Sequence, residues 1–242
     1  MPSSCVKHLV LIYATDSLED RYDIVRGNAS IALVRHRKNS TVAVSRSTRL
    51  GNLDLVHHIS HPNIATIHAI FLNEKKSYVI YEHLEVDLAS LFLTTEVELA
   101  SALSQLLDGI QHLLANGVPF SADSVQVSLS GIVKIVLNIG FRPCDNLVVD
   151  QHYWATVCTD NVNPERRPLM SYRELEFFSM LKRGTLPNRY HRFLHQSQGP
   201  RGLIALVGQA LQVKQAAVLA PKPRNSVPDS LHQRLSIGNA GL

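Results

Sequence analysis

The segment from Thr95 to Gly117 restricts the fold of this chain more than any other. Thr95 and Glu98 make a T-x-x-E pattern, in which each side chain satisfies a backbone N–H at the start of a helix. Apolar residues then recur at Leu99, Leu103, Leu106, Leu107, Ile110, Leu113 and Leu114, which is one helical face, and Asn116-Gly117 supplies the stop. So continuous an apolar face needs a cover, and the sequence on either side is rich in strand patterns.

Ahead of the helix, "RYDIVRG" and "SIALVRHR" flank a small-residue turn. "TVAVS" follows, with Val42 and Val44 on one face and Thr41, Ala43 and Ser45 on the other. "NLDLVHHIS" reads as a short helix that stops at "HPN", because proline disfavours helical geometry in the residue before it. Two further strands, "ATIHAIFL" and "SYVIYEHL", are joined by the polar connection Asn-Glu-Lys-Lys. Beyond the helix, "VQVSLSGIVKIVL" reads as two short strands around Leu-Ser-Gly. The chain then reads as irregular from about Phe141 to Pro168. Helical patterns resume in "SYRELEFFSMLKRG", "NRYHRFLHQ" and "GLIALVGQALQVKQAAVLA", and the proline-bearing end, 221–242, reads as a disordered tail.

This order predicts an α+β fold. Residues 20–82 should form a mostly antiparallel sheet with one short helix between its third and fourth strands, and 95–116 a long helix below it. With 45% apolar and 18% charged residues a real core is expected and global disorder is not. The net charge of +4 is spread along the chain, without the dense basic block of a nucleic-acid groove or a polybasic membrane patch. Cys5, Cys144 and Cys158 are few, odd in number and without metal spacing, which fits a reducing compartment. The apolar run in "HLVLIYA" is too short to span a bilayer, so a cytoplasmic or nuclear protein is expected.

Several signatures stand in the order found in eukaryotic protein kinases. "RGNASIALV" occupies the place of the glycine-rich loop and "TVAVS" that of Val-Ala-Ile-Lys. "HPNIATIHAIF" matches the loop after the first helix, and "SYVIYEHLEVDLASL" matches the fifth strand, hinge and start of the larger lobe. "LLDGIQHLLANGV" matches the helix leading to the catalytic loop, and "SGIVKIVLNIGF" the strand ending in Asp-Phe-Gly. Over roughly residues 20–141 the chain resembles that family. The resemblance implies a small antiparallel N-lobe, about 20–84, after an extension at 1–19, and a mainly helical, shortened C-lobe, about 85–220.

The resemblance also implies a degenerate nucleotide cleft lined by Gly27, Ala29, Ala32, Val34, Ala43, Ser45, Tyr81, Glu82, Leu84 and Asn138. Gly27 keeps the first glycine of the loop and Val34 its last valine, while Ala29 and Ala32 replace the later glycines. Ser45 takes the place of the phosphate-binding lysine, and Asn52 that of its glutamate partner; Asp54 is nearby. Asp123 is the one carboxylate in the place of the catalytic loop, the metal-binding asparagine place falls on Ser124 or Ser128, and the magnesium aspartate becomes Asn138. A pseudokinase is therefore expected: ATP and magnesium bound weakly or not at all, no resident metal, and a role as a protein-interaction or regulatory module. An active kinase is one class of partner, and neither nucleic acid nor membrane is implied. The alternatives are a divergent serine/threonine kinase and a nonfunctional truncated fragment.

Other features carry less. His57, His58 and His61 are close in sequence, but Pro62 follows His61 and no cysteine or spaced carboxylate completes a zinc site; His61 is better read as fixing its loop. Ser121 and Asp123 lack the G-x-S-x-G elbow of a hydrolase. Trp154 reads as a packing anchor, and "GLIALVGQALQVKQAAVLA", with one lysine, as a helix of the larger lobe rather than a membrane-surface helix.

Overall fold

The computed structural model describes residues 10–14, 17–28, 30–48, 56, 59–72, 77–139, 150–162 and 170–219. Six strands form the first sheet: β1 (Leu11–Tyr13), β2 (Tyr22–Gly27), β3 (Ile31–His36), β4 (Val42–Thr48), β5 (Ile67–Phe71) and β6 (Ser77–Glu82), in the order β1-β5-β6-β4-β3-β2. All pairings are antiparallel except β1 with β5, which is parallel. The antiparallel sheet expected over 20–82 is present. Part of the expected N-terminal extension belongs to it as well, because Leu11–Tyr13 adds the parallel edge strand. A short helix α1 (Leu18–Arg21) precedes β2. The helix expected in "NLDLVHHIS" and the 73–76 connection fall largely on positions outside the described residues.

A second sheet holds β7 (Val86–Asp87), β8 (Ser121–Val127) and β9 (Val133–Asn138), all antiparallel. Between β7 and β8 runs α2 (Glu96–Ala115). The Thr95 hydroxyl accepts the Glu98 N–H at 3.2 Å, and the Glu98 carboxylate accepts the Thr95 N–H at 2.8 Å. Gly117, at φ 60°, ends the helix in the left-handed region. Leu99, Leu103, Leu106, Leu107, Ile110 and Leu113 are buried and join both sheets in one core. Gly131, at φ 77°, forms the β8–β9 turn, and an added Cβ there would collide with the Pro200 carbonyl.

Three helices follow: α3 (Gln151–Val162), α4 (Tyr172–Lys182) and α5 (Ile204–Leu219). Over 151–162 the first corrects the reading of 141–168 as irregular; the rest of that stretch, apart from Asp150, lies outside the described residues. Asp150 caps it, its carboxylate accepting the Tyr153 N–H at 3.0 Å, and Trp154, Ala155, Val157, Cys158 and Val162 are buried on one side. Thr, Val, Asp and Asn give the segment weak intrinsic helicity, and burial of Trp154 overrides that preference. Trp154 is thus a packing residue, as expected. α4 begins with a second capping box, Ser171 with Glu174.

"NRYHRFLHQ" is not a helix. It is a run of turns with one 3₁₀ turn at Leu194–Gln196. The Asn188 carboxamide accepts the Tyr190 N–H at 2.9 Å and the His191 ring accepts the Phe193 N–H at 3.2 Å, so side chains take amides that a helix would use. The bend drives Phe193 into the core. Among the described residues, no helix is long and apolar enough to cross a membrane.

Candidate functional site

The faces of the first sheet decide which side chains meet the second. Residues paired across strands share a face, so the register places Ile31, Leu33, Val44, Arg46, Val79 and Tyr81 together, and Ala32, Val34, Ala43, Ser45 and Ile80 on the reverse. The reverse face packs against Leu18 of α1, Tyr22, Phe71 and Tyr13. Ser45 is buried there, paired with Ala32 and Ile80. The side chain that β4 turns toward the second sheet is instead that of Arg46.

Arg46 forms an ion pair with Asp123 of β8, and its guanidinium lies 3.5 Å from the Ser124 hydroxyl. The β8–β9 register shifts between Ala122 and Ser124, so Asp123 is the extra residue of a bulge, a device that re-aims a side chain. Burial holds the Arg46 guanidinium below its ordinary pKa, an effect opposed by Tyr81 and Asp87. Arginine stays charged through such a shift. Its Nε is buried and finds no hydrogen-bond partner among the described residues.

Tyr81 closes the rear of the same region. Its hydroxyl donates to the Leu137 carbonyl at 2.8 Å, tying β6 to β9, and burial raises its pKa well above that of a free phenol. Glu82, paired with Ala43 at the end of β6, still reaches the second sheet: one carboxylate oxygen takes the Lys134 ammonium at 2.6 Å and the Thr66 N–H at 2.6 Å. The Glu82 N–H donates to the Thr66 carbonyl at 2.9 Å. Leu84 is buried in the core. Asn138 ends β9 opposite Ser121. These contacts fasten the sheets along the segment where a hinge is expected.

Gly27 has a structural reason for its identity. Its φ is 131°, and a Cβ would run into the backbone of Ile31 and Ala32. The turn is closed by the Asn28 carboxamide, which accepts the N–H groups of Ser30 and Ile31 at 2.8 and 3.0 Å. Ala29, Asn52, Asp54, His57 and His58 lie outside the described residues. Ser128 is in the β8–β9 turn, where its hydroxyl accepts the Ile132 N–H at 3.2 Å. His61 stacks on His112 with centroids 4.8 Å apart, and its Nδ1 accepts the Asn63 N–H at 3.1 Å, which holds the loop.

Beside the Arg46–Asp123 pair lies an open groove of about 640 Å³, bounded by Asp87, Ser90, Asp123, Ser124, Tyr153 and Asp160. With Asp123 paired to Arg46, Asp87 and Asp160 remain on its wall to oppose a phosphate chain electrostatically. Among the described residues no group of three His, Cys, Asp or Glu side chains is placed to hold a metal ion. The structure therefore gathers Tyr81, Asp123, Ser124 and Arg46 at one inter-sheet junction, while Ala32, Val34, Ala43 and Ser45 lie on the far face. Sequence reasoning missed Arg46. The alternative alternation of the strand, with Val44 and Arg46 on the inner face, is the signal that would have put it forward as a candidate.

No family model matches the chain. The serine/threonine-protein kinase SSN3 of Mycosarcoma maydis is 32% identical over 95 residues, covering 34% of this chain and 13% of that protein. The chain thus spans a small part of the length of the curated relative it matches. The similarity supports a kinase-like relationship, and the architecture, a small mainly antiparallel sheet beside a helical region, is compatible with one.

Proposed function

We propose that the chain is a protein-kinase-like domain that does not transfer phosphoryl groups and serves as a protein-interaction or regulatory module, an active kinase being one class of partner. The observation that carries this reading is the Arg46–Asp123 ion pair. Asp123 is the carboxylate that the resemblance puts forward as a base, and a base must be free to accept a substrate proton. A carboxylate already compensated by a mostly buried guanidinium is a poor acceptor. Asn138, neutral where a hard cation needs a carboxylate, and the acidic groove wall both favour the same reading.

Arg46 also favours a second reading. It is a cation on the face of β4 that meets the second sheet, so a charge able to engage phosphate is present even though Ser45 is neutral. A divergent kinase would use it by releasing Asp123. The test is incubation of the whole chain with γ-labelled ATP, magnesium and a general protein substrate. No transfer above background is expected. Transfer that Asp123→Ala abolishes would establish the second reading in place of the first.

A further inference from the structure

Residues 172–195 carry five cations, Arg173, Lys182, Arg183, Arg189 and Arg192, against two carboxylates, Glu174 and Glu176. Glu174 is buried in its helix cap, so it contributes nothing to the surface. Two of these cations, Arg189 and Arg192, lie against exposed tyrosines. Tyr172 is 73% exposed, Tyr190 72% and Leu175 53%. Tyr172 and Leu175 are one turn apart on α4, opposite the side that buries Phe177, Phe178 and Leu181.

The turn after α4 is held against this face. Glu176 takes two hydrogen bonds from Arg192, at 3.0 and 2.6 Å, and the same guanidinium lies 5.2 Å from the Tyr172 ring centroid. Arg189 sits 5.2 Å from the Tyr190 ring. Guanidinium over tyrosine keeps both groups ordered and spares much of the entropy otherwise lost on binding. Tyrosine and arginine are the side chains that most often dominate binding energy at protein interfaces.

We infer that the exposed face of α4 and the Arg189–Arg192 turn form a docking surface for a carboxylate-rich peptide segment of another protein, one that also bears aliphatic or aromatic side chains. This rests on the interaction-module reading and names the chemistry of its partner. The cations select the acidic segment, and Tyr172, Leu175 and Tyr190 take its apolar side chains. Nucleic acid is the poorer fit: among the described residues the cations of this face are interleaved with Tyr172, Leu175 and Tyr190 and form no continuous row to follow a phosphate backbone.

The test uses the whole chain and a fluorescein-labelled peptide that alternates glutamate with leucine and phenylalanine, with a lysine-for-glutamate peptide and poly(U) RNA as contrasts. Saturable binding of the acidic peptide is expected, weakening as salt rises. Arg173→Glu with Arg189→Glu should lower the affinity at least about tenfold, because attraction to the acidic segment becomes like-charge repulsion. Tyr190→Ala should lower it several-fold with melting temperature unchanged, and Lys38→Glu, in the β3–β4 turn far along the chain, should change it less than about twofold. Absence of saturable binding overturns the inference. So does equal weakening by Lys38→Glu, or RNA binding that is as tight and is lost in the same variants. Failure here with no phosphoryl transfer removes this surface and leaves the noncatalytic reading standing; peptide binding together with transfer does the reverse.

Discussion

Removing either end of the Arg46–Asp123 pair should have unequal consequences. The Arg46 side chain is 17% exposed and that of Asp123 34%. Asp123→Asn leaves a guanidinium that cannot be neutralised, mostly out of water, with the Asp123 countercharge gone. Breaking a buried pair this way costs about 3–5 kcal/mol, and partial exposure brings the expectation here to about 2–3 kcal/mol. Arg46→Met leaves Asp123 on the groove wall, where water reaches it, and replaces a side chain whose buried Nε has no partner among the described residues by an apolar one of similar length. That loss should be about 1 kcal/mol, near the range of exposed pairs. For a domain of this size, 1 kcal/mol corresponds to about 2–4 °C in melting temperature. The assay is urea unfolding of the wild type, both single variants and the double variant at one pH and salt concentration. The double variant should resemble Arg46→Met, so that most of the cost of Asp123→Asn disappears once the arginine is gone. Additive single effects, or a larger loss from Arg46→Met than from Asp123→Asn, would refute the claim that the arginine is the more desolvated partner.

Three further outcomes are expected. Gly131→Ala should destabilise by more than about 1 kcal/mol, since the residue is at positive φ and a Cβ meets the Pro200 carbonyl; equilibrium unfolding checks it. Thr95→Ala should cost about 1 kcal/mol by removing the hydroxyl that caps α2, with Thr95→Ser recovering most of it in the same assay. Burial, then His112, lowers the His61 pKa while Asp108 raises it, and burial also lowers that of His191. Both rings bind protons less readily folded than unfolded, so stability should be full above the ordinary imidazole value of about 6.5 and decline below it. Urea midpoints measured at falling pH should trace that decline, and His61→Gln should make it shallower.

The elements with a strong local signal were legible in the sequence. Thr95, Glu98 and the leucine row of α2 give one answer at every level, and the strands around "SIALVRHR", "ATIHAIFL" and "SYVIYEHL" alternate or run apolar as buried strands do. α3 was hidden because its buried face, Trp154, Val157 and Cys158, is spaced by residues of weak helix propensity, so tertiary contacts decide its form. "NRYHRFLHQ" failed in the opposite sense: its apolar spacing fits a helix, yet Asn188 and His191 capture the amides. The register of β4 was the costliest ambiguity. "TVAVSR" alternates equally well with either face inward, and a shift of one residue exchanges Ser45 for Arg46. Only pairing with β6, which sets Val44 beside Tyr81, resolves it.

The central claim is that the junction of Arg46, Tyr81 and Asp123 is closed by the protein's own contacts and does not take a magnesium nucleotide. Its most direct measurement is thermal unfolding of the whole chain with and without millimolar ATP and magnesium. A ligand at 100 times its dissociation constant stabilises by about 2.7 kcal/mol, several degrees for a domain of this size. No magnesium-dependent change in melting temperature is expected. A clear rise with ATP and magnesium together, absent with either alone and lost in Arg46→Met, would contradict it.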